Sequence, residues 1–476
     1  MKESNFSENF LGRENELKIL AGFYSKNGLQ AALVYGRRRI GKTELIKHSL
    51  SRLSATSIIY FESKETFEEN NVSSLSEIIS DVLGFPPLAF KSIEEVLDFV
   101  FKQACQKEIV LVIDEYSYLR KVVKGLDSII QYLIDKYKSS SMLKLILCGS
   151  YIDTMESLLE KQNPLFGRFD LVINLKAMDY YEAALFYENF SDEDKVRLYS
   201  VFGGVPYYTR LIDPEKSVRE NILELIATPG SRLETEVIMY LKSEIQRMAN
   251  AYEVFEILAK GRVKFSDILS ESSVSSSPAL SDILEKLQKM EIIRKYAPIN
   301  DENNKKKCGY YICDQLSLFY FKYIYRNLSR LNVMNPDVFF DRFIQQDFEE
   351  QYVPKCFEEI CRQYLIRKNK ACELENPFEK IGKYYYDDPA NRRNGEFDIV
   401  TQDGNDFIFY EAKFRAAPVT QEMIDEEIKQ VNAAGLTCRK YGFFSRSGFD
   451  GIKKQNGKDL ILFKLSDLYL FTVKNR

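Results

Sequence analysis

The sequence predicts an α/β protein: a doubly wound parallel sheet at the amino-terminal end, a helical middle, and a second α/β unit at the carboxyl-terminal end. Three observations predict it. Residues 36–43, Gly-Arg-Arg-Arg-Ile-Gly-Lys-Thr, follow the apolar run 31–35 and open a helical stretch at 44–50. Residues 109–115, Ile-Val-Leu-Val-Ile-Asp-Glu, form an unbroken apolar run ending in two carboxylates. From 29 to about 175, strand-length apolar runs alternate with helix-length segments, the rhythm of a parallel sheet wrapped by helices.

The GxxxxGK[ST] spacing between a strand and a helix is that of a phosphate-binding loop. Gly36 and Gly41 let the backbone curl, so that N–H groups of the loop (Arg37, Arg38, Arg39, Ile40) and of Glu44 point at phosphate oxygens. Lys42 is placed to reach the β- and γ-phosphates and Thr43 to ligate Mg²⁺, while the helix start adds its positive dipole end. ATP with Mg²⁺ is the expected cofactor pair. The run 109–113 reads as a buried parallel strand. Its two carboxylates then face the ligand crevice at the strand's carboxyl end. Asp114 would hold Mg²⁺, through water or Thr43, and Glu115 would polarise the attacking water.

Strands are expected at 31–35, 57–61, 109–113, 144–148 and 171–175. The fourth ends in Gly149-Ser150. Ser150 either senses the γ-phosphate or caps a helix. Arg168, in Pro164-Leu165-Phe166-Gly167-Arg168, is either an arginine finger, in cis or for a neighbour, or a surface arginine.

Composition narrows the function classes. The chain has 476 residues, suggesting two to four domains. No apolar run reaches the length of a membrane span, and no apolar core near Met1 suggests an export signal. Eight cysteines without CxxC spacing fit reduced thiols in a cytoplasm. His48 is the only histidine, which argues against zinc catalysis and histidine bases. Metal chemistry would then fall to carboxylates and to Mg²⁺ or Mn²⁺. A net charge of −4 gives no nucleic-acid signal.

The expected domains are 1–176 (phosphate-loop unit), 177–248 (helical lid, broken at Gly203-Gly204-Val205-Pro206), 249–315, 316–350 and 351–476. Within 249–315, helices at 251–259, 265–269 and 278–290 precede strands at 292–296 and 310–313, the order of a winged helix. Its third helix exposes Lys286 and Lys289 among acidic residues, which favours a structural or partner-docking role over reading DNA. The aromatic run Phe319-Tyr320-Phe321 of 316–350 suits a buried connector.

Residues 395–413 predict a hairpin turning at Asp403-Gly404. Asp398 lies on its first strand. Glu411 and Lys413, two apart, share one side of the second. Two carboxylates can hold Mg²⁺ or Mn²⁺ against a scissile phosphate, with Lys413 beside the attacking water. Glu358, on a helix at 354–367, is a further candidate ligand, and Gln430, on a helix at 421–434, a further neighbour. The alternative is a solvated face of alternating charge.

Gly12-Arg13-Glu14-x-Glu16-Leu17, the phosphate loop, Asp114-Glu115-Tyr116, Gly149-Ser150, Pro164-Leu165-x-Gly167-Arg168 and Gly203-Gly204-x-Pro206 occur in this order. The ordered set resembles the archaeal-type ATPases of the STAND branch of AAA+-like P-loop NTPases, over nearly the full length. The resemblance implies a winged helix and a C-terminal domain similar to PD-(D/E)XK nucleases. It keeps Lys42, Thr43, Asp114 and Glu115 in their roles, makes Ser150 a sensor and Arg168 a candidate finger, and sets Gly12 to Glu16 near the adenine. The function it implies is an ATP-hydrolysing regulator coupled to a nuclease-like effector acting on DNA or RNA. Two alternatives stand beside it: a C-terminal domain that only binds nucleic acid or a protein partner, its own copy included, and a nucleotide-binding scaffold with negligible turnover.

Overall fold

A computed structural model describes residues 10–54, 56–245, 250–304, 306–388, 393–436, 438, 440–452 and 459–470. The chain divides into two units. The first is Met1–Met178 with Val205–Tyr207, and the second is Asp179–Gly204 with Tyr208–Arg476.

The first unit is built on five parallel strands: β1 (Gln30–Tyr35), β2 (Ser57–Glu62), β3 (Ile109–Asp114), β4 (Lys144–Gly149) and β5 (Leu171–Asn174). Their order is β2-β3-β4-β1-β5. Every residue of β3 and β4 is buried, because a parallel sheet carries helices on both faces. Leu33, Phe61, Ile113 and Leu147 join Leu75, Val100 and Leu133 of the covering helices Glu68–Leu83, Ile93–Gln103 and Leu126–Tyr137 in one apolar core. The register pairs Tyr35 with Gly149 and Ile113 with Leu147. The segments leaving the carboxyl ends of β1, β3 and β4 therefore share one edge of the sheet. This is where the phosphate loop, Asp114-Glu115 and Gly149-Ser150 meet.

The second unit opens with helices that include Asp192–Phe202, capped by Ser191, and Val218–Leu225, which starts in a Ser217/Glu220 capping box. Three helices, Ala251–Ala259, Phe265–Glu271 and Ser277–Lys289, are followed by an antiparallel ribbon of β6 (Ile293–Tyr296) and β7 (Gly309–Ile312). The third helix is capped by Ser276, carries Pro278 in its first turn and buries Leu280, Ile283, Leu284 and Leu287. Phe319, Tyr320 and Phe321 are all buried, with Phe321 stacked on Phe255 at 5.0 Å between centroids. The aromatic run is core.

Beyond the long helix Val353–Lys370 come β8 (Lys380–Asp388), β9 (Arg393–Asp403), β10 (Asp406–Lys413), β11 (Val419–Thr420), the helix Gln421–Ala433, β12 (Lys440–Ser445), β13 (Phe449–Asp450) and β14 (Asp459–Lys464). The large sheet runs β14-β12-β10-β9-β8, antiparallel from β8 to β10 and parallel from β10 to β14. The helix Gln421–Ala433 lies on the crossover that parallel pairing of β10 and β12 requires. Its Ile424, Ile428 and Val431 cluster with Phe397, Phe409 and Phe443. The helix Val353–Lys370 contributes Phe357 and Tyr364, whose rings meet Phe414 and Phe444. Among the described residues no helix is long and apolar enough to cross a membrane.

Candidate functional site

The phosphate loop takes its shape from two glycines and one strained arginine. Gly36 has φ +152°, and a Cβ there would run into the Leu175 carbonyl oxygen. Gly41 has φ +93° and lies against Pro206, whose Cγ would sit 3.7 Å from a Cβ. Arg39 adopts φ +66°, a conformation a non-glycine residue holds only under constraint. Its guanidinium lies 4.3 Å from the Tyr207 ring centroid, a cation–π contact. Gly36→Ala is expected to destabilise this unit by about 3 kcal/mol, from backbone strain plus the carbonyl clash. Thermal denaturation checks it; an unchanged melting temperature would show that the loop yields.

Lys42 begins the helix Lys42–Leu50, two residues earlier than the sequence suggests. Its Nζ donates to the Gly36 and Arg37 carbonyls at 2.9 and 3.0 Å. Burial pushes its pKa below the usual lysine range, opposed by Cys148, Glu115 and Asp114 and reinforced by Arg38. Thr43 Oγ1 donates to Asp114 Oδ2 at 2.8 Å, and the Tyr60 hydroxyl donates to the same oxygen at 2.5 Å. Burial alone would raise the Asp114 pKa, but hydrogen bonds from Tyr60, Cys148 and Thr43 outweigh it and hold the carboxyl below its usual range. A hydroxyl beside an ionised carboxylate is a donor pair that suits Mg²⁺, which keeps its remaining positions for water and phosphate.

Glu115 sits at φ +51°, just past the strand. Ser150 Oγ donates to its Oε1 at 3.0 Å, and its Oε2 is buried with no hydrogen-bond partner among the described residues. The helix Ile152–Glu156 is preceded by Tyr151 as its first flanking residue, so Ser150 serves Glu115 and not a helix end. Arg13, also left-handed at φ +63°, donates to the Ile40 and Lys176 carbonyls at 3.3 and 2.7 Å. The segment carrying Gly12 to Glu16 is thereby tied to the phosphate loop.

Arg168 forms an ion pair with Asp135. It grips Asp135 through Nε and Nη2 at 3.2 and 2.8 Å and donates to the Pro164 and Phe166 carbonyls. It braces its own loop. Sequence reasoning missed Tyr60, Tyr118 and Tyr151. The Arg38 Nη2 donates to the Tyr118 and Tyr151 hydroxyls at 2.9 and 3.0 Å. A signal was available: Tyr118 and Tyr151 follow Glu115 and Ser150 within three residues.

In the second unit, β8 and β9 slip register between Gly382 and Tyr384. The bulge sets Lys383 beside Asp398, and the two form an ion pair. Bulges of this kind re-aim side chains near functional sites. Lys355, on the helix Val353–Lys370, lies 3.5 Å from Asp398 and 2.8 Å from Glu358. Glu411 pairs with Lys413. Glu427 on the helix Gln421–Ala433 has its pKa pushed up to about 7, by burial first, then by the charge of Glu411 and, more weakly, of Asp398. Glu358 is raised by burial and by Asp398. Asp398 and Glu411 thus lie in reach of common neighbours, while Gln430 is exposed. Lysines hold the carboxylates, and among the described residues no three acidic, cysteine or histidine groups are arranged to hold a metal ion. Lys355, Lys383 and Glu427 escaped the sequence reading because each comes from a separate element.

The ribbon meets the same corner. Ile299 N donates to the Lys383 carbonyl at 2.8 Å, and the Asn300 side chain bonds both the N–H and the carbonyl of Tyr385 at 3.1 and 2.7 Å. The loop after β6 thus covers the edge strand β8, satisfying backbone groups that an open edge would expose.

The fold and loop define the class: an α/β protein with a P-loop. Residues 10–212 match a family described as an ATPase domain predominantly from Archaea, and residues 320–430 match a family of archaeal and bacterial proteins of unknown function. The chain is 28% identical to an uncharacterized protein of Methanocaldococcus jannaschii over 96% of its own length and 99% of the other's. It is 23% identical to an uncharacterized ATP-binding protein of the same organism, over 55% of this chain and 83% of that one. Among solved structures, the Walker-type ATPase of Pyrococcus abyssi is 20% identical, with a TM-score of 0.49 over 67% of this chain and 100% of that one. The ORC2 protein of Aeropyrum pernix, in its ADPNP–ADP complexes, is 13% identical, with a TM-score of 0.49 over 69% of this chain and 98% of that one.

Proposed function

We propose that this chain is a regulatory ATPase that binds ATP with Mg²⁺ in the loop 36–43 and hydrolyses it slowly. The observation that carries this reading is Glu115. One of its oxygens is steered by Ser150, while the other is buried near Lys42 and Asp114 with no hydrogen-bond partner among the described residues. In the step, a water oxygen bonds to the γ-phosphorus and its proton passes to Glu115. The bond from that phosphorus to the bridging oxygen breaks, and ADP leaves with the electron pair. Thr43 and Asp114 would hold Mg²⁺, which would supply neutralisation of phosphate charge. The match of residues 10–212 to an archaeal ATPase domain supports it. Phosphate release from ATP by the purified protein tests it; binding without any release would leave the scaffold reading.

A second reading concerns the carboxyl-terminal unit. Its mixed sheet and the Lys383–Asp398 ion pair at the register slip support a PD-(D/E)XK-like domain acting on DNA or RNA. Lys413 would stand beside the attacking water, and nucleotide state would control access. The helices 251–289 and the ribbon read as a winged helix. Its wing is engaged on β8, which favours docking over DNA reading. Incubating the protein with plasmid, linear DNA and RNA, with and without ATP and Mn²⁺, tests the effector. Cleavage lost in Glu411→Ala supports it; retention of nucleic acid without cleavage supports the binding-only domain.

A further inference from the structure

We propose that Tyr60 is a positioning residue for the Mg²⁺ site: its hydroxyl fixes the Asp114 carboxylate so that Thr43 can turn its oxygen to the ion. The inference rests on the ATPase reading above and adds a residue that belongs neither to the phosphate loop nor to the carboxylate pair at the end of β3.

Tyr60 owes its place to the sheet. β2 is the edge strand beside β3, and the register sets Tyr60 opposite Val112 and Glu62 opposite Asp114. Alternate residues of a strand share a face, so Tyr60 and Asp114 lie on the same side of the sheet. The Lys47 ammonium lies 5.1 Å from the Tyr60 ring centroid, so the helix that follows the phosphate loop flanks the ring. Separate groups hold the backbone and the side chain of Asp114. Ser63, buried just past β2, holds the backbone: its N–H donates to the Asp114 carbonyl at 3.0 Å, and its Oγ lies 2.8 and 2.7 Å from the Asp114 and Glu115 carbonyl oxygens. On the carboxylate, Oδ1 accepts from the Glu115 N–H at 2.9 Å, while Oδ2 accepts from Thr43 Oγ1 at 2.8 Å and from the Tyr60 hydroxyl at 2.5 Å. Burial and the Asp114 charge keep the phenol protonated, so it is a donor here. Burial works against an ionised Asp114, and Tyr60 leads the hydrogen bonds that outweigh it. The carboxylate torsion of aspartate is broad, and the Tyr60 hydroxyl narrows it by holding Oδ2 toward Thr43. The consequence falls on Thr43. Its hydroxyl has one proton. Committed to Asp114, that proton leaves the oxygen lone pairs for a metal ion. Mg²⁺ demands near-ideal octahedral geometry, so a carboxylate free to turn would loosen both of its protein partners at once. Hydrogen bonds to the groups that hold a metal tune its affinity in this way.

The test separates the metal from the nucleotide. ATP affinity is measured by calorimetry for the full chain and for Tyr60→Phe, once in EDTA and once in saturating Mg²⁺, and turnover is followed over a Mg²⁺ series. Phenylalanine keeps the ring beside Lys47 and removes the hydroxyl alone. In EDTA the two proteins are expected to bind ATP within about twofold of each other, because Lys42 and the loop N–H groups are untouched. The gain in ATP affinity that Mg²⁺ brings is expected to fall about tenfold in the variant, as loss of a hydrogen bond behind a metal site does. The Mg²⁺ concentration for half-maximal turnover rises by about the same factor, while kcat at saturating Mg²⁺ stays within about threefold of the parent's. A Mg²⁺ gain in Tyr60→Phe within about threefold of the parent's overturns the inference and leaves the ATPase reading intact. So does a loss of ATP affinity in EDTA as large as the loss in Mg²⁺, which would make Tyr60 a support of the fold. A parent that binds ATP equally with and without Mg²⁺ and releases no phosphate overturns both.

Discussion

Lys42→Ala abolishes ATP binding in practice: affinity is expected to fall about 10²–10³-fold, as befits the loss of charge-assisted hydrogen bonds in a buried site. The fold is expected to survive. Lys42 is buried, and burial pulls its pKa below the usual lysine range, so folding works against its charged form. The sign follows: the unfolded chain holds this proton more tightly, so the residue costs stability at neutral pH and costs less as pH rises. Alanine removes that cost together with two bonds to the Gly36 and Arg37 carbonyls. The two changes oppose each other, and the melting temperature should move by no more than about 2 °C. Calorimetric titration with ATP and a thermal melt read the two quantities separately. Parent-like affinity would remove the loop from nucleotide binding. A collapsed melting temperature would make any loss of binding a folding effect.

The parts legible in the sequence are those where one residue type answers one local demand. Gly36 and Gly41 announce a backbone that no side chain tolerates, and the structure holds both at positive φ. The strands β1, β3 and β4 of the first unit stand where apolar runs end in Gly or Asp, because a parallel strand buried on both faces can be little else. The three helices and ribbon of 251–313 are read from the apolar period and the Ser-rich turn at 273–277, where the structure has Ser276 capping the third helix.

What the sequence hid is what depends on meeting across the fold. Ser150 could equally have capped a helix; only the adjacency of β3 and β4 brings its hydroxyl to Glu115. Arg168 stood beside a motif suggestive of a finger, yet Asp135, 33 residues earlier, takes its guanidinium. The pairing of Lys383 with Asp398 follows from a register slip. A slip changes which residues oppose each other without leaving a trace in composition. Glu427 becomes noticeable only because burial and Glu411 raise its pKa.

Glu115→Gln should separate binding from turnover. The amide keeps the size and the Ser150 contact, since its carbonyl oxygen can still accept at the Oε1 position. What it loses is a charged oxygen able to accept the proton of water. In the parent that oxygen is buried and has no hydrogen-bond partner among the described residues, so it is open to an attacking water. General-base assistance of this kind is worth about 10²–10⁴ in rate. The variant is expected to lose kcat within that range while ATP affinity changes less than about twofold, because Lys42, Thr43 and Asp114 remain. The left-handed backbone at φ +51° is open to Gln at a cost near that of Glu, so the fold should hold. Single-turnover release of phosphate, measured beside ATP binding, decides the matter. Parent-like release from Glu115→Gln would move the base elsewhere. An affinity that falls in parallel with kcat would mean that Glu115 supports the loop and not the water.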